Sequence, residues 1–280
     1  MTSTLLGPIL TAARRDLEER KRERPLKELE NGLKGLPATL NFAAALRKNK
    51  FGVIAEIKTA SPSKGWLRQD LDIAELARSY VRGGACAISV LTESRYFKGS
   101  LENLTTVRDT VSLPVLRKDF ILEPYQVYES RRYGADSLLL IAGILAPELL
   151  RDLLELTQQL GMTALVEVHN EGDLKRALET GARVIGINNR NLADFSVDLG
   201  TTLRLLPLVP PGVLVISESG VSTKKQAGRL RAAGVNGILV GEALVTSSNP
   251  EEKIRELLGA QAQGESPFKT NSKFKNQNAK

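Results

Sequence analysis

Residues 136–168 read DSLLLIAGILAPELLRDLLELTQQLGMTALVEV. A short apolar run, 136–141, gives way to a helix-like stretch, 147–160, that stops at Gly161; a second apolar run, 163–168, follows at once. Short apolar runs alternating with helix-length segments are how parallel strands joined by crossover helices read. A glycine just past a helix can take the left-handed conformation that closes its last turn.

The same alternation recurs on either side of this unit. Further strand candidates are 53–58, 86–91, 115–119, 184–188, 213–218 and 237–241. Helix-like segments at 73–82, 124–132, 171–180 and 223–233 lie between them, with Gly83, Gly134, Gly181 and Gly234 at the expected closing positions. Eight strand–helix units over roughly 200 residues have the spacing of a (β/α)8 TIM barrel. An open doubly wound sheet is the structural alternative, but neither a G-x-G-x-x-G nor a Walker loop follows the first strand. The expected architecture is α/β. A barrel spans 51–259, a helical extension broken by Pro25 and Pro37 spans 1–50, and a basic tail of disordered composition spans 260–280.

Composition narrows the function classes. The chain has 280 residues, 42% of them hydrophobic and 25% charged, enough to bury a core without staples. The lone Cys86 excludes a disulfide framework and a Cys-rich zinc site, and it points to a reducing compartment. The lone His169 excludes a multi-histidine metal site. The net charge of +7 gathers partly in Lys269, Lys273, Lys275 and Lys280 of the tail. Residues 14–27 mix signs closely and read as a solvated helix face with i,i+4 pairs. No aromatic residues interleave with the basic ones of 14–27, so a nucleic-acid surface is not indicated there. No apolar run approaches the ~18 residues of a membrane span, and the first apolar patch is too short for a signal segment. A cytoplasmic protein is expected, with no membrane or nucleic-acid partner.

Strand side chains alternate, which puts Ile54, Glu56 and Lys58 on one face. The same arithmetic pairs Leu165 with Glu167 and Ile216 with Glu218. Lys118 sits at the tip of the third strand and Asn188 at the tip of the sixth. Barrel enzymes keep their chemistry at the carboxyl ends of the strands. Any one of these groups could belong to a structural ion pair closing the mouth; several at one rim favour a site. Gly220 and Gly241, after the seventh and eighth strands, stand where barrels commonly bind phosphate through backbone N–H groups.

At this point the residues carry a resemblance. Ala55-Glu-Ile-Lys58 runs into Ser61-Pro-Ser-Lys-Gly65. Ile88-Ser-Val-Leu-Thr-Glu93 precedes Tyr96-Phe-Lys-Gly-Ser100. Leu113-Pro-Val-Leu-Arg-Lys-Asp-Phe120, Ala164-Leu-Val-Glu-Val-His169, Ile185-Gly-Ile-Asn-Asn-Arg-Asn-Leu192 and Ile216-Ser-Glu-Ser-Gly220 follow. Together they resemble the indole-3-glycerol phosphate synthase family, across every strand end from about 51 to 259. That family converts 1-(2-carboxyphenylamino)-1-deoxyribulose 5-phosphate to indole-3-glycerol phosphate, releasing CO2 and water.

The resemblance implies roles. Lys118 is the general acid for ring closure, and Glu167 is the base or relay in the dehydration. Glu56 and Lys58 are its catalytic and anion-contacting partners. Asn188 and Arg190 are positioning groups, with Arg190 near the substrate carboxylate. Glu218 and Ser219 contact substrate. Ser61, Lys58, Gly220, Gly241 and Glu242 belong to the phosphate site, although a carboxylate at Glu242 is expected to point away and leave the contact to the backbone. Phe97, Phe120, Leu139 and Leu192 form the apolar pocket. The family's extension covers the barrel mouth. A lysine held near other cations and partly desolvated can have its pKa lowered toward neutrality and donate a proton. No metal or cofactor is required.

Some residues are read more plainly. His169 is expected to be structural, Cys86 small and buried, and Trp66 a possible flank of the site. Arg117-Lys118-Asp119 could instead be a surface charge run, and Thr59 is a mild departure from the family pattern. A monomer acting on a phosphorylated small molecule is expected. Two other readings stay open: another phosphate-binding barrel enzyme, such as a phosphoribosyl-type isomerase, and a basic nucleic-acid-binding protein.

Overall fold

Eight short strands carry the architecture. They are β1 (Gly52–Ile57), β2 (Ala87–Leu91), β3 (Val115–Lys118), β4 (Ser137–Ile141), β5 (Thr163–Val168), β6 (Val184–Asn188), β7 (Leu214–Glu218) and β8 (Gly237–Val240). Each lies within a residue of its expected bounds. The computed structural model describes residues 6–48, 50–62, 64–191 and 196–259. All eight strands pair in parallel with their sequence neighbours, and β1 pairs with both β2 and β8, so the sheet closes into a barrel. The barrel expectation holds and the open sheet does not.

Period-two alternation divides each strand between two apolar layers. Ile54, Leu116, Leu139, Leu165, Ile216 and Leu239 meet inside the barrel. Val53, Ala55, Ile57, Val90, Val166 and Ile185 face outward and pack under the helices. Burying one such aliphatic side chain contributes roughly 1.5–3 kcal/mol, so a one-residue slip of register would be costly.

The helices begin and end on local signals. Ile73–Gly83 starts where the Asp72 side chain accepts the Glu75 N–H, and Lys224–Ala233 starts at a Thr223–Gln226 capping box. Gly134, Gly161, Gly181 and Gly234 all have positive φ, as expected. Gly83 is a correction: it is the last helical residue, and Gly84 takes the left-handed turn at φ 92°. A Cβ on Gly83 would come within 3.0 Å of the Glu251 carbonyl and of Ile254, so close packing of the final helix explains this glycine.

The residues before β1 form α1 (Leu6–Glu23), α2 (Leu26–Gly32) and α3 (Phe42–Lys48). They reach both ends of the barrel. Phe42 and Leu46 of α3 are fully buried in the inner apolar cluster, beside Cys86, Val184 and Leu214 at the strand starts. This plugs the amino-terminal end. Leu6 and Ile9 of α1 line the cavity at the opposite end. The mixed charges of α1 are more than a solvated face. Arg20 pairs with Glu129 at 2.8 Å, Lys21 with Glu123 at 2.9 Å and Asp16 with Arg95, which fastens the helix to the barrel. The sequence reading missed this because the partners lie far along the chain. The lysine-rich tail falls outside the described residues.

Candidate active site

The strand ends deliver five ionisable side chains to one opening. Lys118 Nζ lies 3.1 Å from Glu167 Oε2 and 3.4 Å from Glu218 Oε2. Lys58 Nζ lies 3.2 Å from Glu56 Oε1. All five line a cavity of about 770 Å³ at the carboxyl ends of the strands, a volume suited to a small ligand. Two glycines leave room for the carboxylates. A Cβ on Gly186 would stand 1.9 Å from Glu218 Oε1, and one on Gly241 would stand 2.3 Å from Glu56 Oε1.

Burial and mutual charge set the proton inventory. Burial alone would lower Lys118, but Glu167, Glu218 and Glu56 outweigh it and raise its pKa above the ordinary lysine value. Burial alone would raise Glu167; the Lys118 ammonium and His169 instead hold it well below the usual carboxylate range. Glu218 is raised to about 8, because burial and the neighbouring Glu167 and Glu56 together outweigh Lys118. At neutral pH the centre therefore holds an ammonium at Lys118, a carboxylate at Glu167 and a proton on Glu218. A Lys118 pKa lowered toward neutrality is overturned, because its close neighbours are carboxylates rather than cations.

Arg117-Lys118-Asp119 is not a surface run. Alternation turns Lys118 inward and Arg117 outward beneath the helices, where it is fully buried and paired at 2.9 Å with both Asp119 and Glu129. Its guanidinium also donates to Thr92 Oγ1, Ser130 Oγ and the Gln126 carbonyl.

Aromatic and aliphatic side chains and the glycine-containing loops after β7 and β8 line the rest of the opening. Phe97 and Phe120 have ring centroids 6.5 Å apart and line the cavity with Leu139. Asn188 and Arg190 line it too, and Asn188 Oδ1 accepts the Arg190 N–H at 3.0 Å. Ser219, Gly220, Gly241 and Glu242 form the side after β7 and β8. Ser219 has φ 64° and Gly220 φ 84°, a left-handed pair that sharply bends the loop after Glu218. The four-residue turn Glu242–Val245 starts at Gly241, and its first amides have no acceptor within the helix. Glu242 is paired with Lys64 at 2.5 Å.

One expected site residue, Ser61, is not among the residues that line the cavity. It sits in a small hairpin, Ala60–Ser61 against Gly65–Trp66, and its buried hydroxyl has no hydrogen-bond partner among the described residues. Leu192 lies outside the described residues. Trp66, on the same hairpin, is 51% exposed and does not line the cavity. Among the described residues, no group of His, Cys, Asp or Glu is arranged to hold a metal ion, and no helix is long and apolar enough to cross a membrane.

Several supporting residues escaped the sequence reading. The buried Glu93 carboxylate accepts the backbone N–H groups of Arg95, Tyr96 and Phe97, holding the loop that presents Phe97. Thr59 donates to the Phe97 carbonyl at 2.9 Å. Asn189 donates to Ser217 Oγ and to the carbonyls of Glu218 and Ser219, tying the ends of β6 and β7 together. The tandem asparagines at 188–189 were the only local hint.

Comparison with known proteins adds independent findings. The family model described as indole-3-glycerol phosphate synthase matches residues 6–257. A relative of that name from Dehalococcoides mccartyi (strain CBDB1) is 50% identical over 258 residues, covering 91% of this chain and 100% of its own. Another of that name, from Mycobacterium sp. (strain KMS), is 48% identical over 259 residues, covering 92% of this chain and 95% of its own. Solved structures of two other proteins share the fold alone. Thiamine phosphate pyrophosphorylase from Pyrococcus furiosus has a TM-score of 0.57 at 18% identity, covering 76% of this chain and 96% of its own. 3-Hexulose-6-phosphate synthase from Salmonella typhimurium has 0.61 at 10%, covering 74% and 96%. The matching family and relatives do not favour the isomerase reading.

Proposed function

The chain belongs to the indole-3-glycerol phosphate synthase family, whose carboxy-lyase reaction it carries out, and from that premise we propose how its barrel mouth divides the work. The substrate phosphate sits against the backbone after β7 and β8, with Gly220, Gly241 and Ser219 beside it and Lys58 as an anion contact. Phe97, Phe120 and Leu139 enclose the aromatic ring, and Arg190 faces the carboxylate that will leave. A fixed anion anchor supplies positioning energy remote from the reacting carbons.

Ring closure comes first. The ring carbon bearing the carboxylate attacks the ketone carbon, and the carbonyl π pair moves onto oxygen, which takes a proton from Lys118 Nζ. The ring is left cationic, and Glu56 stabilises that charge. CO2 then departs, and its bonding pair returns to the ring. Glu218, 3.4 Å from Lys118, resupplies the lysine with a proton. Lys118 can then protonate the new hydroxyl as it leaves as water. Glu167 takes the proton from the neighbouring carbon and completes the indole. Two protons are given and one is taken, so one per turnover is drawn from solvent, as loss of CO2 from a carboxylate requires. Oxidation level is conserved throughout, so the sequence of steps calls for no redox cofactor.

The observation that carries this reading is the place of Lys118 Nζ, within 3.4 Å of the carboxyl groups of both Glu167 and Glu218 over the same cavity. Replacement of Lys118 by Met is expected to cut kcat by at least about 100-fold and leave KM within a few-fold. The assay incubates the purified protein with the carboxyphenylamino ribulose phosphate and follows indole fluorescence; ordinary turnover by the variant would falsify the assignment. We read the chain as a cytoplasmic monomer. All the groups named come from one chain, and burial pushes the Cys86 thiol up to about 12, which keeps it inert.

A further inference from the structure

We propose that His169 is a positioning residue for the reaction: set as an imidazolium between Asp173 and the oxygen of Glu167 that Lys118 does not use, it keeps that glutamate ionised. The inference rests on the reading of Glu167 as the base and names the device that prepares it.

The geometry is a chain of alternating charges. His169 Nε2 lies 3.3 Å from Glu167 Oε1, whereas Lys118 approaches Oε2. On the other side of the ring, Nδ1 lies 3.6 Å from Asp173 Oδ2, and the same oxygen accepts the His169 backbone N–H at 3.1 Å. Asp173 is itself fixed. Arg176 donates to its Oδ1 at 2.6 Å, and its backbone N–H donates to the Asn170 side chain that caps the helix Glu171–Glu179. His169 is not among the residues that line the cavity, so it acts through Glu167.

The charge state follows from donor counting. A neutral imidazole has one N–H and one bare nitrogen, so one of its two flanking carboxylates would face a lone pair. An imidazolium turns an N–H toward each carboxylate, both of which lie within ion-pair distance, although no well-directed hydrogen bond forms at Nε2 among the described residues. The ring is faced by Glu167 from β5 and by Asp173 from the following helix. Lys118 and Asn188 stand beyond Glu167, and Arg176 stands beyond Asp173. Burial alone would lower the histidine, but Asp173 and Glu167 outweigh it and raise its pKa to about 9. Glu167 thus lies between two cations. Without His169 it would lose one of them.

The single histidine makes the test direct, because a tag-free full chain gives one imidazole resonance by NMR. Its titration midpoint is expected roughly two units above the ordinary value of about 6.5, and Glu167→Gln is expected to bring it down by about one unit. His169→Gln keeps a donor and loses the charge. It is expected to lower kcat about 10-fold with little change in KM and to leave the melting temperature within a few degrees. A midpoint at or below the ordinary value, a midpoint unmoved by Glu167→Gln, or a His169→Gln variant with wild-type kcat across the pH range would each overturn the inference. Retained turnover in Glu167→Gln would instead overturn the reading of Glu167 as the base, and the NMR titration distinguishes the two failures.

Discussion

Glu218 shows what a crowded centre does to one residue. Its two oxygens are buried between Lys118 and the carboxylates of Glu167 and Glu56, and its pKa rises from 4.5 to about 8. Between those two values the folded chain holds a proton that the unfolded chain has released, so stability falls as pH rises through that window. Glu218→Gln keeps the shape and removes the titration. The variant is expected to melt higher than the parent at pH 8, by about 2–4 °C for each ~1 kcal/mol recovered, and to lose most of its turnover. Thermal scans at pH 5 and pH 8 check the sign: the gap between variant and parent should open toward the higher pH. Stability surrendered at a working group is a common cost of pre-arranged charge.

At the scale of elements, the two ends of the barrel carry different duties. The carboxyl ends of the strands hold the proposed site. At the other end, α3 inserts Phe42 and Leu46 among the inward-facing starts of the strands, a contact that only stabilises. Leu46→Ala is expected to cost about 2–5 kcal/mol of stability and to leave kcat unchanged at temperatures where the variant is folded. Chemical denaturation paired with the fluorescence assay measures both. Most helix and strand bounds were legible in the sequence, because caps, closing glycines and apolar periodicity act within a few residues. Gly83 misled for the opposite reason: its role is set by Ile254 and Glu251 of the final helix, more than 160 residues away along the chain. The tethering of α1 through Arg20, Lys21 and Asp16 was hidden in the same way, because a helix's own charge pattern does not say which partner its charges meet.

Across the whole molecule, closure of the barrel converts eight separate strand ends into one reaction vessel. Phosphate binding at β7 and β8 should therefore be visible in global stability. A ligand that binds only the folded chain stabilises it by RT ln(1 + [L]/Kd), about 2.7 kcal/mol at one hundred times Kd. Inorganic phosphate is expected to raise the melting temperature in a saturable way, and Gly220→Val to abolish that rise. Gly220 has φ 84°, and a side chain there would strike Val197 and distort the loop. A phosphate-dependent shift of equal size in the variant would count against the cradle. Strand order, inward faces and the convergence of Glu56, Lys58, Lys118, Glu167 and Glu218 could all be read from the chain, because alternation and spacing are local and the barrel multiplies them. The state of charge was decided only when the ends met. Lys118 moves up rather than down, Glu218 is raised and His169 comes to lie between two carboxylates, because Coulomb interaction and desolvation depend on distances that exist only in the closed fold.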